Sequence, residues 1–304
     1  MTDPEVSVVI PTFNRATFVV DAARSALAQT HAPLEIIVVD DGSTDDTLER
    51  LEQLEGRVTV LTQRNQGVAA ARNAGTRIAR GALVAFLDSD DLWLPHKLER
   101  QVERYLVAPT RIGLVHCGLA LVDGDLRPLE EQLEGLEGRA ADRMLLGQGA
   151  ALHASGSTMV LSAAALERVG GFDERLPPSE DWDMTFRVAS ELDLAFVAEP
   201  LVRYRQHGGN AHRVIPRVER AMMLAFDKAF TDPPPERERL RRRAYANLHA
   251  TLAGSYWQAG AMRDFARHTR RALLLDPRTT PRFAGMPVRR ARRAWAKRAG
   301  ANGG

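Results

Sequence analysis

A single cysteine in 304 residues excludes an internal disulfide framework and suits a reducing cytoplasm. That residue, Cys117, lies in the strand-like run "GLVHCGLALV", where a small core side chain is expected rather than a nucleophile. No stretch approaches the ~20 consecutive apolar residues that cross a bilayer. The first residues, "MTDPEVSVVIPTFNR", have neither the basic start nor the apolar middle of a secretory signal. Aromatic residues amount to 6%. The basic C-terminal stretch holds one tryptophan and no RNA-binding motif, which argues against a nucleic-acid partner. A cytoplasmic protein is therefore expected, peripheral at most to the inner face of the plasma membrane.

What is present is ample core material. Hydrophobic residues make up 44% and charged residues 26%, the proportions of a globular chain. The length allows one large domain, or a domain with an appendage. A net charge of +2 hides an asymmetry, because acidic residues concentrate in the first two thirds and arginine runs fill the last ~90 residues.

The first hundred residues alternate strand-like and helix-like patterns. Val6–Ile10 is a β-branched run closed by Pro11, and Ala16–Gln29 carries helical spacing through Val19, Ala23, Ala26 and Leu27. Leu34–Val39 reads as a second strand ending in "DDGSTDD", where Thr44 is placed to cap a helix to Leu54. Arg57–Leu61 and Leu83–Leu87 read as further strands, Val68–Ala79 as a helix, and another helix is expected from Pro95. Strands separated by helices imply a parallel sheet covered on both faces. Ligands bind beyond the carboxyl ends of such strands, where Pro11–Asn14, Asp40–Asp41 and Asp88–Asp91 all fall.

Later segments are mixed. Ile112–Val122 reads as a long strand with a turn at Asp123–Gly124, residues 130–150 as a mobile loop, and Ser157–Leu161 as a strand. Ala163–Val169 and Asp181–Glu191 read as helices, Leu194–Ala198 and Leu201–Arg205 as strands, and the chain beyond His212 as helical apart from the break "DPPPE".

The segment "GALVAFLDSDDLWLP", 81–95, is the most telling. An apolar run ends in three carboxylates, Asp88, Asp90 and Asp91. Carboxylates at a buried strand tip are costly unless something positive sits there, as a divalent cation with a nucleoside diphosphate would.

"SVVIPTFNR", "IIVVDDGSTDDT", "GVAAARNAG", "FLDSDDLWLP" and "SEDWDMTFRVA" follow in that order. Over roughly residues 5–210 the chain thus resembles the family 2 inverting glycosyltransferases of GT-A fold. The resemblance implies a Rossmann-like, mixed but mainly parallel sheet flanked by helices. It also implies transfer of a sugar from a nucleotide-diphosphate donor to a hydroxyl of a glycan or lipid-linked acceptor, in bacterial surface polysaccharide synthesis. A UDP-sugar is the donor expected, with GDP- and dTDP-sugars open.

Carried onto this chain, the resemblance sets Pro11, Thr12, Phe13 and Asn14 at the nucleotide base, unless Phe13 is core. It sets Asp41 at the uracil N3–H, with Asp40 ordering the turn. Arg72 faces the diphosphate or tethers the aspartates, or is a solvated helix residue. Asp88 and Ser89 belong to the donor site, Asp90 binds Mn²⁺ or Mg²⁺, and Asp91 caps the next helix. Asp181 is the general base, with Glu180 and Trp182 on the acceptor side. His207 completes the metal shell or is a loop histidine.

A GT-A domain is expected over 1–211, and a helical extension with one tetratricopeptide-like helix pair over 212–285. In that pair Ala253, Tyr256, Gly260, Ala272 and Pro277 stand at the characteristic offsets. A single unit of this kind cannot bury both its faces, so packing on the catalytic domain is expected. The tail 286–304, with Arg289, Arg290, Arg292, Arg293, Lys297 and Arg298 around Trp295, suits an interfacial helix on anionic lipid or a solvated tail. Two rivals are weaker. A nucleotidyltransferase needs a glycine-rich loop after the first strand, which "PTFNRAT" lacks. An inactive GT-A-like scaffold has no need to keep Asp90 and Asp181.

Overall fold

The computed structural model describes residues 3–54, 56–148, 156–206 and 214–284. It begins with three strand–helix units: β1 (Val6–Thr12), α1 (Val19–Leu27), β2 (Glu35–Asp40), α2 (Thr47–Glu52), β3 (Thr59–Thr62) and α3 (Val68–Ile78). Next come β4 (Leu83–Phe86), β5 (Leu92–Trp93), α4 (Lys97–Leu106), β6 (Ile112–Val122), β7 (Pro128–Gln132) and α5 (Ala141–Leu145). The second half holds β8 (Val160–Ser162), α6 (Ala163–Val169), α7 (Glu180–Glu191) and β9 (Asp193–Arg205). Helices follow: α8 (Ile215–Ala229), α9 (Pro235–Glu238), α10 (Arg241–Gln258), α11 (Met262–Leu275) and α12 (Thr280–Ala284).

The nine strands among the described residues form one mixed sheet in the order β3-β2-β1-β4-β8-β6-β9-β5, with β7 on β6. The first four run parallel, and β8 enters antiparallel between β4 and β6. Register sets the site: Thr12 of β1 lies beside Asp40 of β2, and Val9 beside Phe86 of β4. The polar residues that follow these strands therefore leave the sheet at one rim.

Helix packing explains why the strands read as continuous apolar runs. α1 buries Val19, Ala22, Ala23 and Ala26, the i, i+3, i+4, i+7 stripe of a helix on a core. α3 lies so close to β1 that a Cβ on Gly75 would stand 2.4 Å from a Val9 methyl carbon. Cys117 is buried and free, and burial pushes its thiol up to about 11, the behaviour of a core residue.

Several local expectations change. β1 runs through Pro11 because its β4 neighbour has already ended at that level, so the missing N–H leaves no partner unserved. The α2 turn is held by Asp45, which accepts from Thr47 N (3.1 Å), while Thr44 N donates to Asn14 Oδ1 (2.8 Å). α4 starts at Lys97, close after Pro95, and the short strand β5 before it pairs with β9. Residues 194–198 and 201–205 are one strand, irregular where β6 passes Cys117 to Leu119. The stretch 130–150 is not a loop throughout. It contains part of β7 and α5, and Leu136, Ala140 and Met144 are buried. Its apolar anchors are single and widely spaced, so no periodicity shows.

The chain divides into two compact units, residues 1–144 with 148–225, and residues 145–147 with 226–304. The second is helical. Within it α10 and α11 pair around a turn at Gly260 (φ +74°), burying Ala253, Tyr256, His268 and Ala272. Asn247 Nδ2 donates to Leu146 O at 2.8 Å. No described helix is long and apolar enough to cross a membrane. The tail 286–304 and His207 lie outside the described residues.

Candidate active site

At the rim above the parallel strands, within the first unit, lies a cavity of about 510 Å³. Pro11 and Thr12 end β1 there, and Phe13 stands just beyond. Phe13 is 42% exposed, so it offers an open aromatic face and is not core. Asn14 is not among the lining residues. Its φ is +51°, its N–H donates to Ser43 Oγ (2.9 Å), and its Oδ1 accepts from Thr44 N. It fastens the tip of β1 to the turn after β2.

Asp40 and Asp41 divide the work at the end of β2. Asp40 Oδ2 accepts from Ser43 N (3.1 Å), ordering the turn. Asp41 lines the cavity and gathers three donors: Gln63 Nε2 (2.7 Å), Gln66 N (2.9 Å) and Gly67 N (2.7 Å). The carboxylate thus draws residues 63–67 to the start of α3, where Gly67 takes φ +94°, a conformation that suits glycine.

Arg72 is the hub of the site. It projects from α3, is 2% exposed, and donates Nη1 to Glu180 Oε1 and Nη2 to Asp88 Oδ1, each at 2.7 Å. It is therefore not a solvated helix arginine. One side chain ties the strand tip at Asp88 to the helix start at Glu180, itself 108 residues beyond Arg72. Burial opposes its charge, but Asp88 and Glu180 outweigh burial and hold its pKa up. Gly156 makes room: a Cβ there would sit 2.6 Å from Nη2.

At the tip after β4, Asp88, Ser89 and Asp90 line the cavity. Asp88 N donates to Ser157 Oγ (3.0 Å). Burial raises the Asp88 pKa, Arg72 opposes the rise, and Asp90 adds to it. The Asp90 carboxylate faces Arg15 Nε at 3.4 Å, and its carbonyl accepts from Arg205 Nε at 3.1 Å. Asp91 does not cap a helix. It accepts from Ser157 Oγ (2.6 Å) and Arg205 N (3.1 Å) and is buried, pinning the tip to β9.

Across the cavity, Glu180 and Asp181 open α7. Glu180 Oε2 is buried without a hydrogen-bond partner. Asp181 Oδ1 accepts from Trp182 N at 2.8 Å. Burial, then repulsion from Glu180, pushes Asp181 up to about 8, against the opposing pull of Arg72. A carboxylate at that value takes up a proton near neutrality, the property of a general base. Trp182 is not among the lining residues and stacks on Phe186, centroids 5.4 Å apart.

Arg15, Tyr204 and Arg217 also line the cavity, though none was assigned to it from the sequence. Arg15 directly follows the "PTFN" loop, which hints at its place. Arg217 donates Nε to Pro177 O (3.3 Å) from α8, and nothing in its sequence context marks it.

The donor set restricts what cation would fit. Among the described residues no group of three or more His, Cys, Asp or Glu could hold a metal. Asp88 and Asp90 together suit an ion that takes one or two carboxylates and completes its shell with phosphate and water, as Mg²⁺ and Mn²⁺ do.

Comparison with known proteins agrees with this geometry. The model of glycosyl transferase family 2 matches residues 7–170. A putative teichuronic acid biosynthesis glycosyltransferase of Bacillus subtilis is 37% identical over 146 residues, 47% of this chain and 57% of that protein. Two relatives matched over longer stretches are 34% and 30% identical over 216 and 206 residues. The chain spans 66% and 64% of their lengths, just under two thirds. Among solved structures, S. aureus TarS 1–349 with UDP-GlcNAc aligns at TM-score 0.62 and 19% identity, over 84% of this chain and 73% of that one. The Pyrobaculum calidifontis mannosyltransferase with GDP-Man and Mn²⁺ aligns at TM-score 0.62 and 21% identity, over 94% and 84%. At these identities the likeness shows a shared fold, the GT-A arrangement.

Proposed function

This chain belongs to glycosyl transferase family 2, and from that premise we propose that it moves a sugar from a nucleoside diphosphate to an acceptor hydroxyl with inversion. The observation that carries the reading is the shared cavity of Asp41, Asp88, Asp90 and Asp181, four carboxylates from three distant parts of the chain. The GT-A domain is assigned to 1–211 and the helical extension to 212–285.

Each side chain has a task that follows from its surroundings. Phe13 offers its exposed ring to the base, and Asp41, already fixed by three donors, accepts the base N–H. Asp90, with Asp88, would hold Mn²⁺ or Mg²⁺, which when bound supplies Lewis-acid neutralisation of the departing diphosphate. Arg72 keeps Asp88 and Glu180 in register across the cavity, so donor and acceptor meet in attack geometry. Asp181 accepts the proton of the acceptor hydroxyl as its oxygen bonds to the anomeric carbon. The bond from that carbon to the diphosphate oxygen breaks, and its electron pair leaves with the diphosphate.

A uridine diphosphate sugar is the assigned donor, on the strength of Asp41. The acceptor is a glycan or lipid-linked hydroxyl in surface polysaccharide synthesis, a reading supported by the teichuronic acid relative. Thermal-shift measurements with UDP, GDP and dTDP, each with and without Mn²⁺, test the donor class. Stabilisation by UDP alone, and only with Mn²⁺, is expected. Stabilisation by GDP or dTDP instead reassigns the base, and silence from all three removes the transferase reading.

A further inference from the structure

We propose that the outward face of α11 is a docking surface for an anionic lipid bilayer. The helix has two faces. One packs on α10 through the buried His268 and Ala272. Away from that contact Met262, Ala266 and Leu274 are exposed, while Thr269 and Leu273 are half-buried and Phe265 leans on Trp257 of α10 (ring centroids 4.9 Å). Phe265, Ala266, Thr269, Leu273 and Leu274 line a shallow open groove of about 470 Å³. Leu274 is 66% exposed, far more than a core leucine tolerates.

Arginines border that face. Arg263, Arg270 and Arg271 are exposed and, among the described residues, have no ion pair with a carboxylate, whereas Arg267 is paired with Asp264. At 100° per residue these arginines surround the exposed Leu274 and lie to one side of Met262 and Ala266, where their stems can lie along a membrane while the guanidinium groups reach phosphates. A helix with one apolar face and a cationic flank is the pattern that lies in the interface of an anionic membrane.

The charge of the whole region agrees. Residues 226–304 hold 18 Lys and Arg against 6 Asp and Glu, a net +12, while residues 1–225 hold 23 against 33, a net −10. A second copy of the chain would set one arginine flank against another, so self-association on this face is disfavoured. RNA would use the arginines but gain nothing from Leu273 and Leu274. The combination selects lipid.

The test uses the full chain and vesicles of phosphatidylglycerol or of phosphatidylcholine, with bound protein measured by flotation. Binding to phosphatidylglycerol and not to phosphatidylcholine is expected. Leu274→Glu, too exposed to disturb the core, should weaken binding about tenfold. Arg263→Gln, Arg270→Gln and Arg271→Gln together should weaken it about a hundredfold. The proposal is overturned if the chain ignores phosphatidylglycerol. It is equally overturned if Leu274→Glu binds as the parent does, which would mark simple polyanion attraction such as RNA would also show. Loss of binding on neutralising Arg289, Arg290, Arg292 and Arg293, with the α11 variants unaffected, would move the surface to the tail. Conversion of a dimer to a monomer by Leu274→Glu in sedimentation without lipid would make the face a self-interface.

Discussion

The two acidic clusters facing the cavity are held in contrasting ways. At the strand tip, Asp88 is bound to Arg72 and Ser157, Asp90 to Arg15 and Arg205, and both oxygens of Asp91 to hydrogen-bond donors. At the start of α7, Glu180 has one oxygen on Arg72 and one buried without a partner, and Asp181 takes a backbone N–H. The first cluster is clamped from several directions, as a platform for a charged ligand requires. In the second, burial and repulsion from Glu180 raise the affinity of Asp181 for a proton. Both clusters hold carboxyls that burial raises; the difference lies in how firmly donors from other elements hold them.

Asp181→Asn attacks the second cluster alone and should have the largest effect. Transfer should fall by roughly 10²–10⁴-fold, with donor affinity unchanged by calorimetric titration. A variant that still turns over at the parent rate removes Asp181 from the chemistry. Arg72→Met strikes both clusters at once, because it strands Asp88 and Glu180 in a buried place. A loss of about 3–5 kcal/mol in unfolding free energy is expected from denaturant titration, and a loss under 1 kcal/mol would show that the pairing is solvent-screened. Asp90→Ala tests the clamped side. It should weaken Mn²⁺-dependent donor binding on the order of 10–100-fold; parent-like stabilisation by donor with Mn²⁺ would contradict the role.

The pH dependence has the smallest effect and sharpens the contrast most. With Asp181 raised to about 8, kcat/KM should rise with pH and level off above that value, about tenfold lower at one unit below it. Stability moves the other way. A carboxyl whose folded pKa stands above its ordinary value favours the folded state at low pH, and that contribution is lost as pH rises through about 8. Asp181→Asn should flatten this decline in thermal melts between pH 5 and 8. An unchanged slope would assign the dependence to Asp88 or Asp91, whose values are also raised.

Much of this site could be read from residue order alone, because a parallel sheet converts strand ends into neighbours. Once Pro11, Asp41 and Asp88 were each placed after an apolar run, topology brought them to one rim. Arg72 was visible as a basic residue on a helix reaching that rim. Its bridging of two carboxylates was not, because that depends on a contact across 108 residues and on the absence of a Cβ at Gly156. Asp91 was misread for a similar reason: in sequence it precedes a helix, but in space it lies between Ser157 and Arg205. Arg217 and the α11 face left no motif at all, since one rests on a loop contact with Pro177 and the other on what fails to be buried. Weak periodicity over 130–150 concealed β7 and α5, whose anchors are single residues.

The stereochemistry of the first product formed addresses the mechanism most directly. With the donor found by the thermal-shift screen, proton NMR of the transfer product reads the anomeric configuration of the new linkage. One displacement assisted by Asp181 predicts a β-linked product from an α-linked donor. An α-linked product would contradict it, because retention needs a second nucleophilic step that this cavity is not assigned to perform.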